Sequence, residues 1–590
     1  MTFSVLSGYF EKLEETSSRL ILIDILSDLF KHTSKDEIDK VIYMTQGRIA
    51  PFFAPIEIGM ADKNVAQALA VAYDSTKDAV LKQYSKLGEM GSVAEVLSAK
   101  RKAQKSKLTV TDVFEVLTTI ASTGGEGSVE KKQRMLADLL QKLDSVSAKH
   151  LTRIPLGNSR LGIGDPTVLD GLALAILGDR SKRKLLEKAY NETSDLGLIG
   201  KTLLTHGLKA VQKLSVTIGR PIRSELCERL PNPQKVFEKM GEVIHATYKY
   251  DGFRVQIHKN GDDIRMYSRN LEDMTHMFPE LIEATRREVK AKTAILDTEA
   301  LAYQPDSEEF LPFQETTKRR RKHNIEEIAK TLPLRAFVFD VLYADGESLI
   351  DTKLTERIEK LKKIVPHENT LIPSPGVFLK KPEDLQVMLD DAISKGLEGV
   401  VVKRIDSLYE AGGRNFNWVK LKRHSSGELH DTIDCVILGY IFGKGKRTEF
   451  GAGALLVGVY DKDNDTFVTV SRIGTGLTDE EWRSIKDKTK GMELDHKPAR
   501  VNSLITPSVW VRPEIVIEVL ADEITRSPMH SAGMDVSDGT KEREETKGEK
   551  KVGYALRFPR LVTFRDKDKK AEDATTVKEL IAMFGQQGKQ

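Results

Sequence analysis

A lysine that stands two residues before an Asp-Gly turn is the feature of this sequence that most clearly suggests chemistry. The hexapeptide Lys249–Arg254 reads Lys-Tyr-Asp-Gly-Phe-Arg and follows a short apolar run. A lysine at a strand end beside a turn can hold its amine in a cleft. The amine becomes nucleophilic when its pKa falls from about 10.4, and a nearby cation such as Arg254, or a bound metal, can lower it. The pattern therefore predicts nucleophilic catalysis by Lys249, against the alternative of an ordinary exposed turn.

Further charged and aromatic residues stand at later strand ends. Glu398 precedes the apolar run Gly399–Lys403, and a carboxylate at a strand start suits Mg²⁺, which neutralises phosphate charge. Lys420 and Lys422 alternate along one strand and so project to the same side, as two phosphate contacts require. Phe339 is an aromatic residue in the strand-like run Ala336–Leu342. Taken alone, each of these residues also has an ordinary structural explanation.

The composition sets limits on the class of protein. The chain has 590 residues, a mass of 66.0 kDa, 40% hydrophobic and 30% charged residues. This composition is typical of globular proteins and excludes a disordered or collagen-like protein. At roughly 150 residues per domain, the length suggests three or four domains. Ninety-one Lys and Arg against 88 Asp and Glu give a net charge of +3. Nucleic-acid binding must therefore come from local patches.

Cysteine usage and targeting signals point to an intracellular protein. Cys227 and Cys435 are the only two cysteines, which excludes a disulfide framework and any four-Cys zinc module. The early apolar stretch Leu20–Phe30 contains two aspartates and is too short to cross a bilayer. The start of the chain lacks the features of a signal peptide. We expect a protein of the reducing cytoplasm that does not bind membranes.

The secondary structure that the sequence pattern predicts changes twice along the chain. Residues 1–212 show helical apolar spacing, with breaks at Gly124–Gly127 and Gly157–Gly164. Residues 213–425 combine helix-like segments with strand-like runs, including a hairpin about Asn260-Gly261, and predict an α+β domain. From residue 426 to 590, short β-rich runs between glycine-rich turns predict a small barrel. The charge-dense Lys541–Lys551 is expected to be a solvated loop.

These motifs together resemble those of the covalent nucleotidyltransferases, which include ATP-dependent DNA ligases, RNA ligases and mRNA-capping guanylyltransferases. In that superfamily the motif lysine forms a phosphoamide with a nucleoside monophosphate, and the later motifs occur here in the family's order. The resemblance implies a nucleotide site made by Thr247, Lys249, Arg254, Arg269, Glu299, Phe339, Arg414, Lys420, Lys422, Arg557 and Lys567, and metal binding by Glu299 and Glu398.

Within these motifs, several details qualify the resemblance. Thr247 stands where the family usually has Glu, and Thr298 stands where it usually has Gly. Alternation along a strand also places Phe337 and Phe339 on one face, so that one of the two rings can belong to the core. Phe339, next to Asp340, matches the family residue whose ring stacks on the nucleobase, a contact that contributes about 1–3 kcal/mol.

The resemblance extends over the whole chain, to ATP-dependent DNA ligases of the archaeal and eukaryotic replicative type. Arg160–Gly164 resembles a loop of their helical DNA-binding domain, and Lys318–Lys322 matches a basic archaeal run that either meets DNA or is solvated. Near Gln104–Leu108 the archaeal family often carries a sliding-clamp peptide that ends in aromatic residues; these are missing here, which argues against clamp binding.

The implied architecture is an all-α DNA-binding domain, an α+β adenylation domain and a C-terminal all-β OB-fold barrel. The implied enzyme is a monomeric, nucleoid-associated ligase that uses ATP and Mg²⁺, with Mn²⁺ as a substitute, to seal nicks in duplex DNA during replication, repair and recombination. An RNA ligase or capping enzyme would be expected to lack the helical domain, and an NAD-dependent ligase would carry a zinc module. A non-catalytic DNA-binding scaffold is the remaining alternative, which the complete set of motif residues argues against.

Overall fold

The N-terminal part of the chain folds as helices, as predicted. The computed structural model describes residues 1–101, 107–303, 310–311, 313–319, 324–366, 370–395, 397–422, 432–442, 452–474, 477–534, 552–565 and 568–586. The first helices are α1 (Phe3–Glu14), α2 (Arg19–Lys31), α3 (Ile38–Thr45), α4 (Asp62–Ala72), α5 (Lys77–Leu87), α6 (Met90–Ser98), α7 (Val110–Ser122), α8 (Ser128–Leu140), α9 (Ser145–Arg153), α10 (Asp165–Leu177), α11 (Arg183–Thr193), α12 (Leu196–His206) and α13 (Leu208–Val211).

Local sequence explains where these helices begin and which face they bury. Thr2, Thr76, Asp144 and Asp195 each accept a backbone N–H at a helix start, which satisfies a donor that the helix leaves free. The stripe of apolar residues on α1 is buried in one core shared by the N-terminal helices. The predicted break at Gly124–Gly127 separates α7 from α8.

Two sheets follow within the same unit, Met1–Arg423. Their strands are β1 (Leu226–Arg229), β2 (Ile244–Lys249), β3 (Phe253–Asn260), β4 (Asp263–Ser268), β5 (Thr293–Ala302), β6 (Leu334–Ala344), β7 (Glu347–Ser348), β8 (Leu371–Pro373), β9 (Gly376–Leu379), β10 (Gly399–Arg404) and β11 (Arg414–Lys422). The accompanying helices are α14 (Pro233–Met240), α15 (Pro279–Glu288), α16 (Phe313–Thr316), α17 (Ile325–Thr331), α18 (Leu354–Ile364) and α19 (Pro382–Ser394).

The two sheets meet at the nucleophile motif. One sheet has the strand order β1-β11-β10-β2-β9, and the other has the order β4-β3-β5-β6-β7 with β8 beside β6. The strand β2 ends at Lys249 in the first sheet, and β3 begins at Phe253 in the second. Gly252 lies at this crossing, where a Cβ would stand 2.4 Å from the carbonyl oxygen of Ala300, so a larger residue does not fit. The predicted hairpin of β3 and β4 is confirmed.

Part of the basic run Lys318–Lys322 is neither solvated nor available to DNA. Arg319 is 1% exposed, forms an ion pair with Glu280 and donates to the Met277 carbonyl oxygen at 3.4 Å. The prediction is therefore wrong for Arg319, because the half-buried carboxylate of Glu280 compensates its charge. Lys318 is exposed and pairs with Glu315. Residues 320–322 lie outside the described residues, as do Lys541–Lys551 and residues 104–106 of the expected clamp segment.

The second unit, His424–Gln590, is rich in β-structure, as predicted. Its strands are β12 (Ile433–Ile441), β13 (Ala454–Asp461), β14 (Thr466–Ile473), β15 (Glu493–Leu494), β16 (Val501–Asn502), β17 (Val509–Val511), β18 (Val516–Leu520), β19 (Glu523–Ser527), β20 (Gly553–Arg557) and β21 (Arg560–Phe564), with helices α20 (Asp479–Thr489) and α21 (Val577–Gln586). Both helices are amphipathic, and Trp482 and Leu580 anchor them in the core of the sheet. Short 3₁₀ turns occupy Arg180–Lys182, Thr275–Met277, Thr317–Arg319 and Ala571–Asp573.

In the described part of the chain, none of the helices combines the length and apolarity that a membrane crossing needs.

Candidate active site

Three strands of the first sheet form the floor of a cleft. Ile244, Ala246, Val400, Val402 and Leu421 face a buried core with α14 and α19, so the residues that alternate with them face the opposite side. Strand pairing arranges these alternate residues in three rows, which are Lys249–Gly399–Lys422, Thr247–Val401–Lys420 and His245–Lys403–Trp418. We call this surface the cleft floor. It brings Thr247, Lys249, Lys420 and Lys422 together on one side, as the sequence predicted.

Lys249 forms an ion pair with the predicted metal ligand Glu398. The Nζ atom lies 2.5 Å from Glu398 Oε2, and Lys422 Nζ lies 3.0 Å from the same oxygen. Burial disfavours the charged amine, but the attraction of Glu398 outweighs burial and raises the pKa of Lys249. The expected lowering of this pKa is therefore wrong for the chain in this structure. Sequence motifs could not show that a carboxylate distant along the chain takes the amine as its partner.

Arg254, the cation expected to act on Lys249, is held by another partner. Its guanidinium makes two hydrogen bonds to Asp297, at 3.0 and 2.6 Å, and a third to the carbonyl oxygen of Glu225 at 2.8 Å. It also lies 5.3 Å from the centre of the Phe339 ring. A bidentate pair of this kind fixes both side chains. Arg254 thus forms a rigid wall of the cleft beside the ring that is the candidate base platform.

Glu299 lies on β5 and faces the turn of the nucleophile motif. Its Oε1 accepts a hydrogen bond from Gly252 N at 3.1 Å. Burial raises the pKa of Glu299 to about 7, although Lys249 and Arg254 act in the opposite direction. The neighbouring Thr298, which replaces the family's Gly, is buried, and its hydroxyl donates to the carbonyl oxygen of Val255 at 2.7 Å. The strand accommodates this threonine because the hydroxyl has a partner.

The two phenylalanines of β6 do not share a face. The register between β5 and β6 shifts at a bulge, so that Asp297 pairs with Asp340 while Thr298 pairs with Val338. Phe337 stacks on Tyr250 with ring centres 3.8 Å apart, in a separate small core. Phe339 contacts the edge of Trp418 at 5.9 Å, next to the cleft floor. The expected alternation is wrong because the bulge interrupts it, and Phe339 is the ring that reaches the cleft.

The remaining predicted nucleotide contacts lie elsewhere or outside the described residues. Arg269 is exposed just after β4 and lines a cavity of about 570 Å³ between the helices and the sheets. Arg414 is exposed at the start of β11, and its charge acts on Lys420. Arg557 belongs to the second unit, where it pairs with Glu523 at 2.6 Å. Lys567 lies outside the described residues.

A buried lysine that the sequence did not assign supports the base platform. Lys403 is 1% exposed, and its Nζ donates to the carbonyl oxygen of Phe339 at 2.9 Å. Asp340 lies 3.6 Å from the same amine and is itself held by Arg357 at 2.8 Å. Burial lowers the pKa of Lys403 despite Asp340. The only sequence signal for this role was a lysine within the apolar run Gly399–Lys403. A lysine buried there must have a charged or polar partner.

The carboxylates suited to a metal are Glu398 and Glu299. The negative charge of each carboxylate raises the pKa of Lys249, and each carboxylate offers the hard oxygen ligands that Mg²⁺ prefers. Mg²⁺ is commonly held by one or two carboxylates together with substrate phosphates, so this donor set fits it. Among the described residues, the one cluster of three metal-capable groups is Glu11, Glu14 and His150. There Lys149 pairs with both carboxylates, at 2.7 and 3.0 Å, which makes the cluster a salt-bridge network.

Comparisons with known proteins show which family this chain resembles. A family model described as DNA ligase N terminus matches residues 2–173, one described as ATP dependent DNA ligase domain matches 224–422, and one described as ATP dependent DNA ligase C terminal region matches 448–569. A probable DNA ligase of Dictyoglomus turgidum is 44% identical over 590 residues, covering 100% of this chain and 98% of that protein. A DNA ligase of Sulfolobus acidocaldarius is 39% identical over 597 residues, covering 99% and 98%.

A solved structure named Pmar-Lig_PreS3 shares the fold. It covers 95% of this chain and 99% of its own, with a TM-score of 0.53 and 16% identity, a likeness that concerns the fold alone. The family models and the relatives, by contrast, span nearly the full length of the chain. The chain therefore belongs to the family of ATP-dependent DNA ligases.

Proposed function

We propose that Lys249 is the residue through which this ATP-dependent DNA ligase carries AMP to a nick in duplex DNA. The observation that supports this assignment is the position of Lys249, at the crossing between the two sheets and in one row with Lys422. Its amine thus lies beside a second cation suited to phosphate and beside the carboxylate of Glu398. The family match includes the N-terminal helices, so an RNA ligase, a capping enzyme and a non-catalytic scaffold are not favoured.

The first step is transfer of AMP to the enzyme. Nζ of Lys249 attacks the α-phosphorus of ATP, a P–N bond forms, the bond to pyrophosphate breaks, and the amine proton passes to solvent. The amine must be neutral to attack, so its ion pair with Glu398, which raises its pKa, has to open first. Lys420 and Lys422 lie on the same face and offset charge on the phosphates. Positioning and charge neutralisation supply most of the catalysis in such transfers.

The two later steps act on the DNA. The 5′-phosphate of the nick attacks the AMP phosphorus and frees Lys249, which gives a DNA-adenylate. The 3′-hydroxyl then attacks the 5′-phosphorus, a phosphodiester bond forms and AMP leaves. Mg²⁺, or Mn²⁺ in its place, would be held by Glu398 and Glu299 and would neutralise developing charge on the phosphates.

The other residues take their proposed roles from their positions along the cleft. Phe339 stacks on the adenine, Glu299 accepts a hydrogen bond from the ribose, and Arg254 with Asp297 keeps this wall rigid. Thr247 lies on the floor beside the base. Arg269 and Arg414 hold the nucleotide and its phosphates from the rim. Arg557 and Lys567, on the second unit, orient the departing pyrophosphate.

The DNA is held by all parts of the chain in this proposal. Residues 1–212 form the DNA-binding domain, 213–425 the adenylation domain and 426–590 the OB-fold domain. The loop Arg160–Gly164 approaches the DNA backbone closely because its glycines add no side chain. Binding is then independent of sequence and sensitive to salt. We propose a monomer that acts in the cytoplasm at the nucleoid, without a sliding clamp.

Labelling with α-³²P-ATP and Mg²⁺ tests this function. The unaltered chain, a Lys249→Ala variant and a Lys292→Ala variant are incubated with label, denatured and separated; Lys292 is exposed and serves as the control. We expect label on the unaltered chain and on the Lys292 variant only. Added nicked DNA should then move the label to the 5′ end and release it on sealing.

Two results would contradict the proposal. Equal labelling of the Lys249→Ala variant would remove Lys249 from its role. Label that forms on Lys249 but ignores nicked duplex DNA would point to another nucleic-acid substrate.

A further inference from the structure

The position of Glu398 depends on the short connection between α19 and β10. Its backbone N–H donates to the carbonyl oxygen of Lys249 at 3.2 Å, and the next residue, Gly399, pairs with Lys249 in the sheet. These main-chain contacts hold the connection where it enters β10. Its other end leaves α19, and side chains join this end of the helix to the sheet.

Tyr248 links β2 to the end of α19. It stands immediately before Lys249, and because side chains alternate along a strand, its ring lies on the opposite face of the sheet, in the core shared with α19. Its hydroxyl donates to the carboxylate of Asp391 and accepts a hydrogen bond from Lys395 Nζ at 3.1 Å. Lys395 also pairs with Asp391 at 2.6 Å. One hydroxyl group therefore connects two residues at the end of the helix.

Apolar packing extends this link to the residue before Glu398. Tyr248 and Leu397 both pack against a small core that contains Tyr250, and the rings of the two tyrosines meet edge to face with centres 6.5 Å apart. The backbone N–H of Leu397 donates to the carbonyl oxygen of Ala392 in α19 at 2.9 Å. The approach of the chain to Glu398 is thus fixed to the helix and to the ring of Tyr248.

The polar part of this link is too exposed to add much to stability. The side chains of Lys395 and Asp391 are 54% and 40% exposed, and ion pairs of this kind contribute little to folding. Its effect is on position instead. Lys249 Nζ and Lys422 Nζ lie 2.5 and 3.0 Å from the same oxygen of Glu398, so a small shift of this carboxylate changes the surroundings of the amine.

We infer that Tyr248 is a positioning residue, which fixes Glu398 beside the amine of Lys249 through the end of α19. The inference rests on the proposed function, because it assumes that Lys249 accepts AMP. The ring of Tyr248 lies on the opposite face of the sheet from the cleft floor, so it acts through Glu398 and does not touch the nucleotide. Tyr248 therefore affects the rate of AMP transfer and leaves the affinity for ATP unchanged.

The rate of labelling of the full chain with α-³²P-ATP tests this role. Tyr248→Phe keeps the ring and removes the hydroxyl. Its rate constant at saturating ATP should fall about tenfold, while the ATP concentration at half-saturation should stay within about twofold. Its melting temperature should stay within about 3 °C of the unaltered chain. Tyr460→Phe is the matched control, because the Tyr460 hydroxyl also donates to an exposed aspartate, Asp465, at 2.9 Å. It should keep the rate of the unaltered chain.

Variants of Asp391 test the same link from the helix. Asp391→Ala removes the acceptor of the Tyr248 hydroxyl and should also slow labelling about tenfold, whereas Asp391→Asn keeps an acceptor and should stay within about threefold. Because the two side chains act as one unit, Tyr248→Phe and Asp391→Ala together should cost about tenfold. Independent effects would multiply to about 100-fold.

Three results would overturn the inference. The first is a rate constant within about twofold of the unaltered chain in either single variant, Tyr248→Phe or Asp391→Ala. The second is a loss that appears in the half-saturating ATP concentration rather than in the rate constant. The third is multiplication of the two losses in the double variant. Failure of the proposed function looks different, since Lys249→Ala would then still take up label.

Discussion

At the scale of single residues, burial and neighbouring charges set the pKa values of the ionisable groups around the cleft. Glu225 is fully buried behind the cleft; its Oε2 accepts a hydrogen bond from Glu410 N at 3.0 Å, and its Oε1 has no partner among the described residues. Burial raises the pKa of Glu225 to about 8, and Asp340 adds to this effect while Lys403 and Arg357 oppose it. The folded chain therefore keeps this carboxyl group neutral at pH 7.

The Glu225 side chain makes the stability of the catalytic unit depend on pH. Because the folded pKa lies above the unfolded value of 4.5, the folded state loses stability as pH rises from about 4.5 and levels off above about 8. Glu225→Gln removes the titrating group. The melting temperature of the variant minus that of the unaltered chain should therefore be about 5 °C higher at pH 8.5 than at pH 5.5.

Thermal unfolding at the two pH values measures this difference. Glu410→Gln is the matched control, since that side chain is exposed beside the same site. It should show the pH dependence of the unaltered chain. An equal pH response of Glu225→Gln and the unaltered chain would show that Glu225 does not titrate over this range.

At the scale of elements, a strand start and a bulge position the catalytic groups. Gly399 opens β10 directly after Glu398 and has φ +138°, a conformation that favours glycine. A Cβ there would stand 2.2 Å from the carbonyl oxygen of Leu421, in the neighbouring strand that carries Lys422. The glycine thus permits the close approach that sets Glu398 between Lys249 and Lys422.

Gly399→Ala should push these strands apart and displace Glu398 from its position between Lys249 and Lys422. We expect nick sealing to fall by about 100-fold, the loss that a shift near 1 Å commonly causes. Gly241→Ala is the control, because Gly241 also has a positive φ, +105°, but open space around it. It should cost about 1 kcal/mol of stability and leave sealing intact. Similar sealing rates in the two variants would contradict the role of the close approach.

The sequence predicts where these strands lie better than it predicts their local geometry. The alternation of apolar residues predicted β6, the hairpin of β3 and β4, and the common face of Lys420 and Lys422. It could not predict the bulge at Phe339, because bulges depend on the pairing partner. For the same reason the ion pair of Lys249 with Glu398 and the burial of Arg319 were not predictable, since each partner is distant in sequence.

At the scale of the whole molecule, the helices and the sheets of the first unit are joined by a small polar cluster. Arg223 NH1 donates to Asp165 Oδ2 at 2.9 Å and to the Tyr190 hydroxyl oxygen at 2.5 Å, and its guanidinium lies 5.0 Å from the Tyr190 ring. Asp165 begins α10, Tyr190 lies in α11, and Arg223 precedes β1. A half-buried cluster of charge-assisted bonds holds orientation better than an exposed ion pair.

Arg223→Ala should therefore affect the DNA steps and spare the first step. The cleft residues around Lys249 lie within the sheets, so self-adenylation should stay within about twofold, whereas kcat/KM for nicked DNA should fall about tenfold. Lys188→Ala is the control; Lys188 pairs with Asp351 across the same junction at 3.4 Å, but both side chains are more than two-thirds exposed. It should change neither step. Parallel losses in adenylation and sealing for Arg223→Ala would contradict this division.

The order of structural types along the chain was the most predictable property at this scale. The change from helical spacing to strand-like runs, and the order of the motifs, predicted a helical part, a mixed part and a β-rich part. The polar cluster at Arg223 was not predictable, because its three members come from segments that are distant from one another in the sequence. The cavity lined by Arg269 was missed for the same reason.

The position of the covalent AMP tests the central claim most directly. The chain is incubated with ATP and Mg²⁺ without DNA, digested, and its peptides are mapped by mass spectrometry. The account predicts one AMP group, attached to the amine of Lys249 and removed when nicked duplex DNA is added. AMP on another residue, such as Lys420 or Lys422, or a labelled peptide that is unchanged by Lys249→Ala, would contradict it.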